Sequence, residues 1–175
     1  FMRVSRVGVP QVSPGLPVIT IGAASPSAGS SLLLPAAYGD LHFHDPGTPT
    51  VIPAPATFVK AQNVTHLHNA SGNITMPIDN QMLYTGTSIV ALLIASLSFY
   101  CAANNQTLAF AIAIAGVVNT PSIVRSRVTT GADIRAVSLV TQVTLVSGSY
   151  AEVWVANDTS VGDITIDHGN VILRG

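Results

Sequence analysis

The chain has 175 residues and a net charge of −1, and only 9% of its residues are charged, against about 25% in an average soluble protein. Its seven basic residues are scattered, which excludes the concentrated positive face of a nucleic-acid-binding protein, and its longest largely apolar run, Ile89–Ala103, is shorter than the about 20 residues of a membrane-spanning helix. We therefore expect no nucleic-acid or membrane partner, and a surface that is largely covered in an assembly.

Residues 1–37 differ from the rest of the chain because prolines interrupt every apolar run. The pieces between the prolines are too short to form a core of their own. We expect an extended arm that is ordered only by a surface against which it lies, through the apolar residues Val18, Ile19, Ile21, Leu32, Leu33 and Leu34. A disordered tail is the alternative, although such tails are usually more polar than "LPVITIG" and "SSLLLP".

Residues 38–175 alternate β-branched runs with turn-forming segments, and no stretch shows sustained helical periodicity. The pattern predicts about eight to ten strands in an all-β, antiparallel sandwich or jelly roll. The segments "HNASGN" and "AANNQT" are predicted loops, and "TTGAD", "VSGS", "ANDTSVGD" and "DHGN" are predicted to close hairpins.

The run "TLAFAIAIAG" has a period of two, which indicates a strand with one bulky face and one face of methyl groups. The bulky residues are suited to the core of the chain, whereas a solvated face would carry Thr, Lys or Glu. We expect the opposite face, formed by Ala109, Ala111, Ala113 and Ala115, to be covered either by a second copy of the chain or by the arm.

Five segments of the chain resemble the C1q/TNF-like jelly-roll domains of bacteriophage structural proteins. They are "GDLHFHDPGTPTVIPAPATFVKA", "NITMPIDNQMLYTGTSIVALLIASLSF", "NNQTLAFAIAIAGVV", "VTLVSGSYAEVWVAND" and "GDITIDHGNVILRG". The resemblance covers residues 38–175 and implies a homotrimer in which each subunit buries an apolar face. Under it, Tyr150 and Trp154 join the alanine face as candidates for trimer or arm packing.

Two His-x-His pairs, His42 with His44 and His66 with His68, place two imidazoles on one face of a strand, as a metal site requires. A cupin-type metal centre needs a nearby Glu, whereas the single Glu of this chain is Glu152. In a trimer, one pair from each of three chains is a second way to hold an ion. We favour surface or loop histidines and predict neither a metal nor a cofactor.

Catalytic signatures are missing from the sequence. It contains no Gly-x-Ser-x-Gly turn, no glycine-rich phosphate loop before a helix and no paired carboxylates, so we predict a protein that is not an enzyme. Cys101 is the single cysteine, and we expect a buried free thiol, with an intermolecular disulfide as the alternative.

The resemblance and the composition together predict a virion structural protein located on the capsid surface. In this hypothesis a trimeric decoration or head-fibre protein binds the major capsid protein through its arm and stabilises the shell. The alternative is the receptor-binding head of a tail fibre, which recognises a host glycan or protein. A major shell protein of a small virus is a weaker hypothesis, because its arm would be strongly basic and this one has only Arg3 and Arg6.

Overall fold

The computed structural model describes residues 37–44 and 47–175. The predicted contact residues of the arm, Val18 to Leu34, lie outside the described residues, so that prediction stays open. No helix in the described part of the chain has the length and hydropathy to cross a bilayer.

The described residues form twelve strands and one 3₁₀ helix, Thr120–Ser122. The strands are β1 Tyr38–Phe43, β2 Val59–Lys60, β3 Thr65–Ser71, β4 Ile74–Thr75, β5 Met82–Tyr84, β6 Ile89–Cys101, β7 Gln106–Ile114, β8 Val117–Val118, β9 Val124–Val128, β10 Arg135–Leu145, β11 Tyr150–Asn157 and β12 Ile164–Arg174.

The strands form two antiparallel sheets. One has the order β10-β6-β12-β1-β3, and the other has the order β4-β5-β11-β7-β8, with β2 added to β11 and β9 added to β7. Four pairs are nested along the chain, β1 with β12, β5 with β11, β6 with β10 and β7 with β9. Such nesting is the connectivity of a jelly roll, so the predicted all-β jelly-roll sandwich is confirmed.

The core lies between the two sheets and follows the period-two pattern of the long strands. In β6 every second residue from Ala91 to Cys101 is buried, and in β7 the large side chains face the same interior. Phe99 of one sheet meets Phe110 of the other with ring centroids 4.3 Å apart. Cys101 is a buried free thiol, as predicted.

Several predicted turns have a different role in the structure. "TTGAD", "VSGS" and "ANDTSVGD" do not close hairpins, because each carries the chain from one sheet to the other. "DHGN" is no turn at all, since β12 runs through it with a bulge between Ile166 and His168. "HNASGN" is only partly a loop, because β3 continues to Ser71. Turn-forming residues by themselves therefore predict neither that a strand ends nor where the next strand pairs.

Ala37, at the predicted end of the arm, belongs to the sandwich. It is fully buried, and its carbonyl accepts a hydrogen bond of 2.9 Å from the backbone N–H of Gly175. This bond extends the β1–β12 pairing by one residue beyond Tyr38.

Candidate functional site

Three of the four alanines of the predicted methyl face of β7 are buried. Ala109, Ala111 and Ala113 are fully buried, and their direct partners on β11 are Ala156, Trp154 and Glu152 in that order. These partners lie beside the alanines within the sheet and not over their methyl groups, so cover by a second copy stays a prediction. Cover by the arm, the other prediction for this face, falls on residues outside the described part of the chain.

Ala115 lies apart from the other three alanines. It is exposed and sits in a two-residue turn with Gly116, where both residues have positive φ, 51° and 75°. Its N–H donates to the carbonyl of Tyr150 at 2.8 Å. Tyr150 is half-buried at the start of β11 and packs beside this turn, with its hydroxyl 3.4 Å from the position that a Cβ on Gly116 would take.

The single Lys and the single Glu of the chain form one cluster beside Trp154. Glu152 is buried, and its Oε1 accepts from Lys60 Nζ at 3.1 Å and from Gln81 Nε2 at 3.1 Å. Its Oε2 accepts from Trp154 Nε1 at 2.9 Å. Every polar atom of the carboxylate thus has a partner, and the half-buried indole is held against the strand that carries Ala111.

The surface left open to a partner is the outer face of the five-stranded sheet. We call it the β6 face. Val140 is 60% exposed, Val90 is 59% exposed and Leu92 is 38% exposed, and Ile94 and Ile172 are half-buried among them. A sheet face that meets only water normally carries polar residues. This face was not predicted from the sequence, although "IVALL" at the start of β6 is apolar at both alternating sets of positions.

Strand register defines the extent of the β6 face. Val140 pairs with Ile94, Ile94 with Ile172, and Ile172 with Asp40, so an apolar row crosses three strands and ends at a carboxylate on β1. The next row, beginning at Ser138, is polar and ends at the histidines of β1 and β3. The face is therefore an apolar strip bordered by a cluster of titratable groups.

The four histidines of the two His-x-His pairs meet across β1 and β3. His42 lies directly opposite His66 and stacks on His68 with ring centroids 5.1 Å apart. His44 meets His66 edge-on at 4.7 Å. Asp40 completes the cluster, with its Oδ1 3.0 Å from His42 Nε2. The sequence identified the histidines within each strand, but not the carboxylate or the pairing across strands.

A cleft of about 470 Å³ lies beside β2 and includes Lys60, Asn63, Gln62 and Asp79 in its lining. Its two charged groups are already engaged in the fold. Lys60 pairs with Glu152, and Asp79 accepts hydrogen bonds from the backbone N–H and the hydroxyl of Thr65. The described residues of the cleft present no nucleophile with an adjacent base, so it supports no catalytic proposal.

No family model and no curated protein matches this chain. Among solved structures the chain is similar to murine APRIL at pH 5.0, with a TM-score of 0.48 and 9% identity over 79% of this chain and 99% of that one. It is also similar to Eiger TNF from S. frugiperda, with a TM-score of 0.48 and 10% identity over 79% and 93% of the two chains. The globular domain of zebrafish complement 1qA protein gives a TM-score of 0.45 and 11% identity over 79% and 99%. The jelly roll itself is established by the nested strand pairs of this chain.

Proposed function

We propose that this protein is a non-enzymatic subunit that associates with copies of itself through the β6 face, as a trimeric decoration or head-fibre protein on a virus capsid. The observation that carries the proposal is the exposure of Val90, Leu92 and Val140 on one contiguous sheet face. Contiguous apolar surface of this kind marks interaction sites, because burying it is favourable by about 25 cal/mol per Å².

The electrostatics of the chain support association of like copies. The described Lys and Glu neutralise each other in one cluster, and the row from Val140 to Ile172 carries no charged side chain, while the exposed Arg174 lies beside Leu92 in the next row. Copies that meet along the row from Val140 to Ile172 therefore desolvate few charges, and Arg174 has to stay at the solvated rim of the contact.

The number of copies and the capsid location come from the sequence resemblance and the apolar arm. In the proposed assembly three sandwiches bury their β6 faces against one another, and residues 1–36 extend over the major capsid protein. An extended arm that lies along another protein forms backbone hydrogen bonds and apolar contacts with it and needs no preformed pocket.

The test replaces Val140 by Asp in the full chain and measures the molar mass by light scattering after size exclusion. Val140 has no core contact to lose, but a buried unpaired carboxylate would cost the interface about 3 kcal/mol or more. We expect three times the chain mass for the wild type and a monomer for Val140→Asp. The matched control is Val117→Asp, the same substitution at a residue that is 70% exposed on the other sheet. We expect this variant to stay trimeric.

A wild-type monomer at every concentration, or an unchanged mass for Val140→Asp, would refute association through this face.

The capsid location is tested by co-sedimentation of the wild type with capsids that lack the protein. Failure of the trimer to sediment with them would reject the decoration role, and binding to host cells instead would favour the receptor-binding alternative.

A further inference from the structure

We propose that Asp40, His42 and His68 bind one divalent transition-metal ion of the zinc class. One donor atom from each of the three side chains lies within 4.8 Å of the other two. The site is formed by a single chain, on the outer face of the five-stranded sheet where β1 meets β3. It does not depend on the association proposed above.

His68 lies at a β-bulge in β3. Leu41 pairs with Leu67 and Asp40 pairs with Asn69, so His68 is the extra residue of β3 opposite the Asp40–Leu41 step. A bulge leaves its extra residue without a ladder partner and redirects the side chain. By alternation His68 lies on the same face of β3 as His66, and in the bulged strand it stacks on His42 and has a ligand atom within 4.8 Å of Asp40.

Asp40 supplies the strongest reason for a cation. Its Oδ1 is buried and receives no hydrogen bond from the described residues, although His42 Nε2 lies 3.0 Å away. Within the described residues no Lys or Arg forms an ion pair with it. A buried carboxylate oxygen without a donor is costly, and a bound cation would remove that cost.

The distances are compatible with a metal after a small side-chain rotation. Zinc binds imidazole nitrogen at about 2.0–2.1 Å and carboxylate oxygen at about 2.0–2.2 Å, so neighbouring ligand atoms of a tetrahedral site lie about 3.3 Å apart. The Asp40–His42 contact of 3.0 Å is already near that value. His68 is exposed, so a rotation about its χ angles, with the Asn69 amide moving along with the ring, would close the remaining distance.

The donor set selects the class of metal. Two imidazoles and one carboxylate suit Zn²⁺, Co²⁺ or Ni²⁺, whereas Ca²⁺ and Mg²⁺ prefer oxygen ligands throughout. His68 Nδ1 lies 2.7 Å from the Asn69 amide, which orients the ring and leaves Nε2 for the ion. With the metal on Nε2, Nδ1 carries the proton and donates to Oδ1 of Asn69 after the amide turns over.

The test is titration of the full, tag-free chain with Zn²⁺ by calorimetry, together with Co²⁺ absorption as a report on coordination. We expect one ion per chain and weaker binding at pH 5, because protons compete for the imidazole nitrogens. Asp40→Asn keeps the side-chain shape and His68→Ala changes an exposed residue. Each variant should lower the affinity about tenfold or more with an unchanged circular dichroism spectrum.

Matched controls come from the other histidines. His44→Ala, in the neighbouring pair, and His168→Ala, beside Asp167 on β12, should bind Zn²⁺ like the wild type. Val140→Asp should also retain the ion, which separates this site from the association face. The proposal is overturned if the wild type binds no Zn²⁺, if Asp40→Asn and His68→Ala bind it unchanged, or if His44→Ala abolishes binding.

Discussion

Ala115 is the residue at which the alternating sequence and the structure diverge. The pattern "AFAIAIAG" continues the methyl face to Ala115, but the strand ends at Ile114 and the next residue begins a turn to Val117. Ala115 and Gly116 both have positive φ. A residue other than Gly or Asn is strained by about 1–2 kcal/mol in this left-handed region of backbone conformation. The turn therefore suits Gly116 and not Ala115.

Replacement of Ala115 by Asn should therefore stabilise the protein by about 0.5–1 kcal/mol, because Asn-Gly is the preferred pair for this hairpin turn. Ala115 is exposed, so the new amide meets water. The free energy of unfolding is measured in urea at one fixed protein concentration. Ala115→Val, with a β-branched side chain at positive φ, should have the opposite effect. Equal stability of both variants would contradict the strain assigned to this turn.

At the scale of elements, β12 shows how a turn sequence can lie inside a strand. Residues 167–170, "DHGN", are rich in turn formers, yet β12 continues through them beside β6. The bulge at Asp167 absorbs one residue, and the absence of a side chain on Gly169 lets the backbone approach β6 closely. A Cβ on Gly169 would lie 2.6 Å from the carbonyl oxygen of Ser96 and 2.7 Å from Cδ2 of Leu97.

Gly169→Ala should destabilise the protein by about 2 kcal/mol or more, because the backbone oxygen of a central strand cannot move aside without disturbing its ladder. Gly162→Ala is the comparison variant, since its new Cβ would meet side-chain atoms at 3.3 Å, which can shift by a few tenths of an ångström, and it should cost less stability than Gly169→Ala. Thermal unfolding of both variants measures the difference. A Gly169 variant as stable as the control would show that β6 and β12 pack less closely than described.

At the scale of the whole molecule, the apolar outer face of the five-stranded sheet links folding to association. The apolar side chains of β6 point to both sides, with Leu93 and Leu97 in the core and Val90 and Leu92 on the outer face. A lone sandwich would leave that outer face in water. Association adds its favourable free energy to folding, so the stability of the proposed trimer depends on protein concentration.

The melting temperature of the wild type should rise with protein concentration over about a hundredfold range, because unfolding of a trimer releases three chains. Val140→Asp should melt at a lower temperature that is independent of concentration. Differential scanning calorimetry at several concentrations measures both. A wild-type melting temperature that stays constant would contradict a stability shared between copies.

The sequence by itself determined the long strands β6 and β7 and the side chains that they place in the core. A period of two in "TLAFAIAIAG" or in Ile89–Cys101 is read within one strand, and the bulky face must be buried wherever that strand pairs. The free buried thiol of Cys101 follows from the same alternation.

Only the tertiary structure decided which of the remaining faces is open and which polar groups meet. Ala111 has Trp154 as its neighbour on β11, and Asp40 meets His68 because β1 pairs with β3. These contacts join residues that are far apart along the chain, and their register is set by pairing between strands. Local periodicity assigns a residue to one face of its own strand, but it contains no information on what the neighbouring strand places beside it.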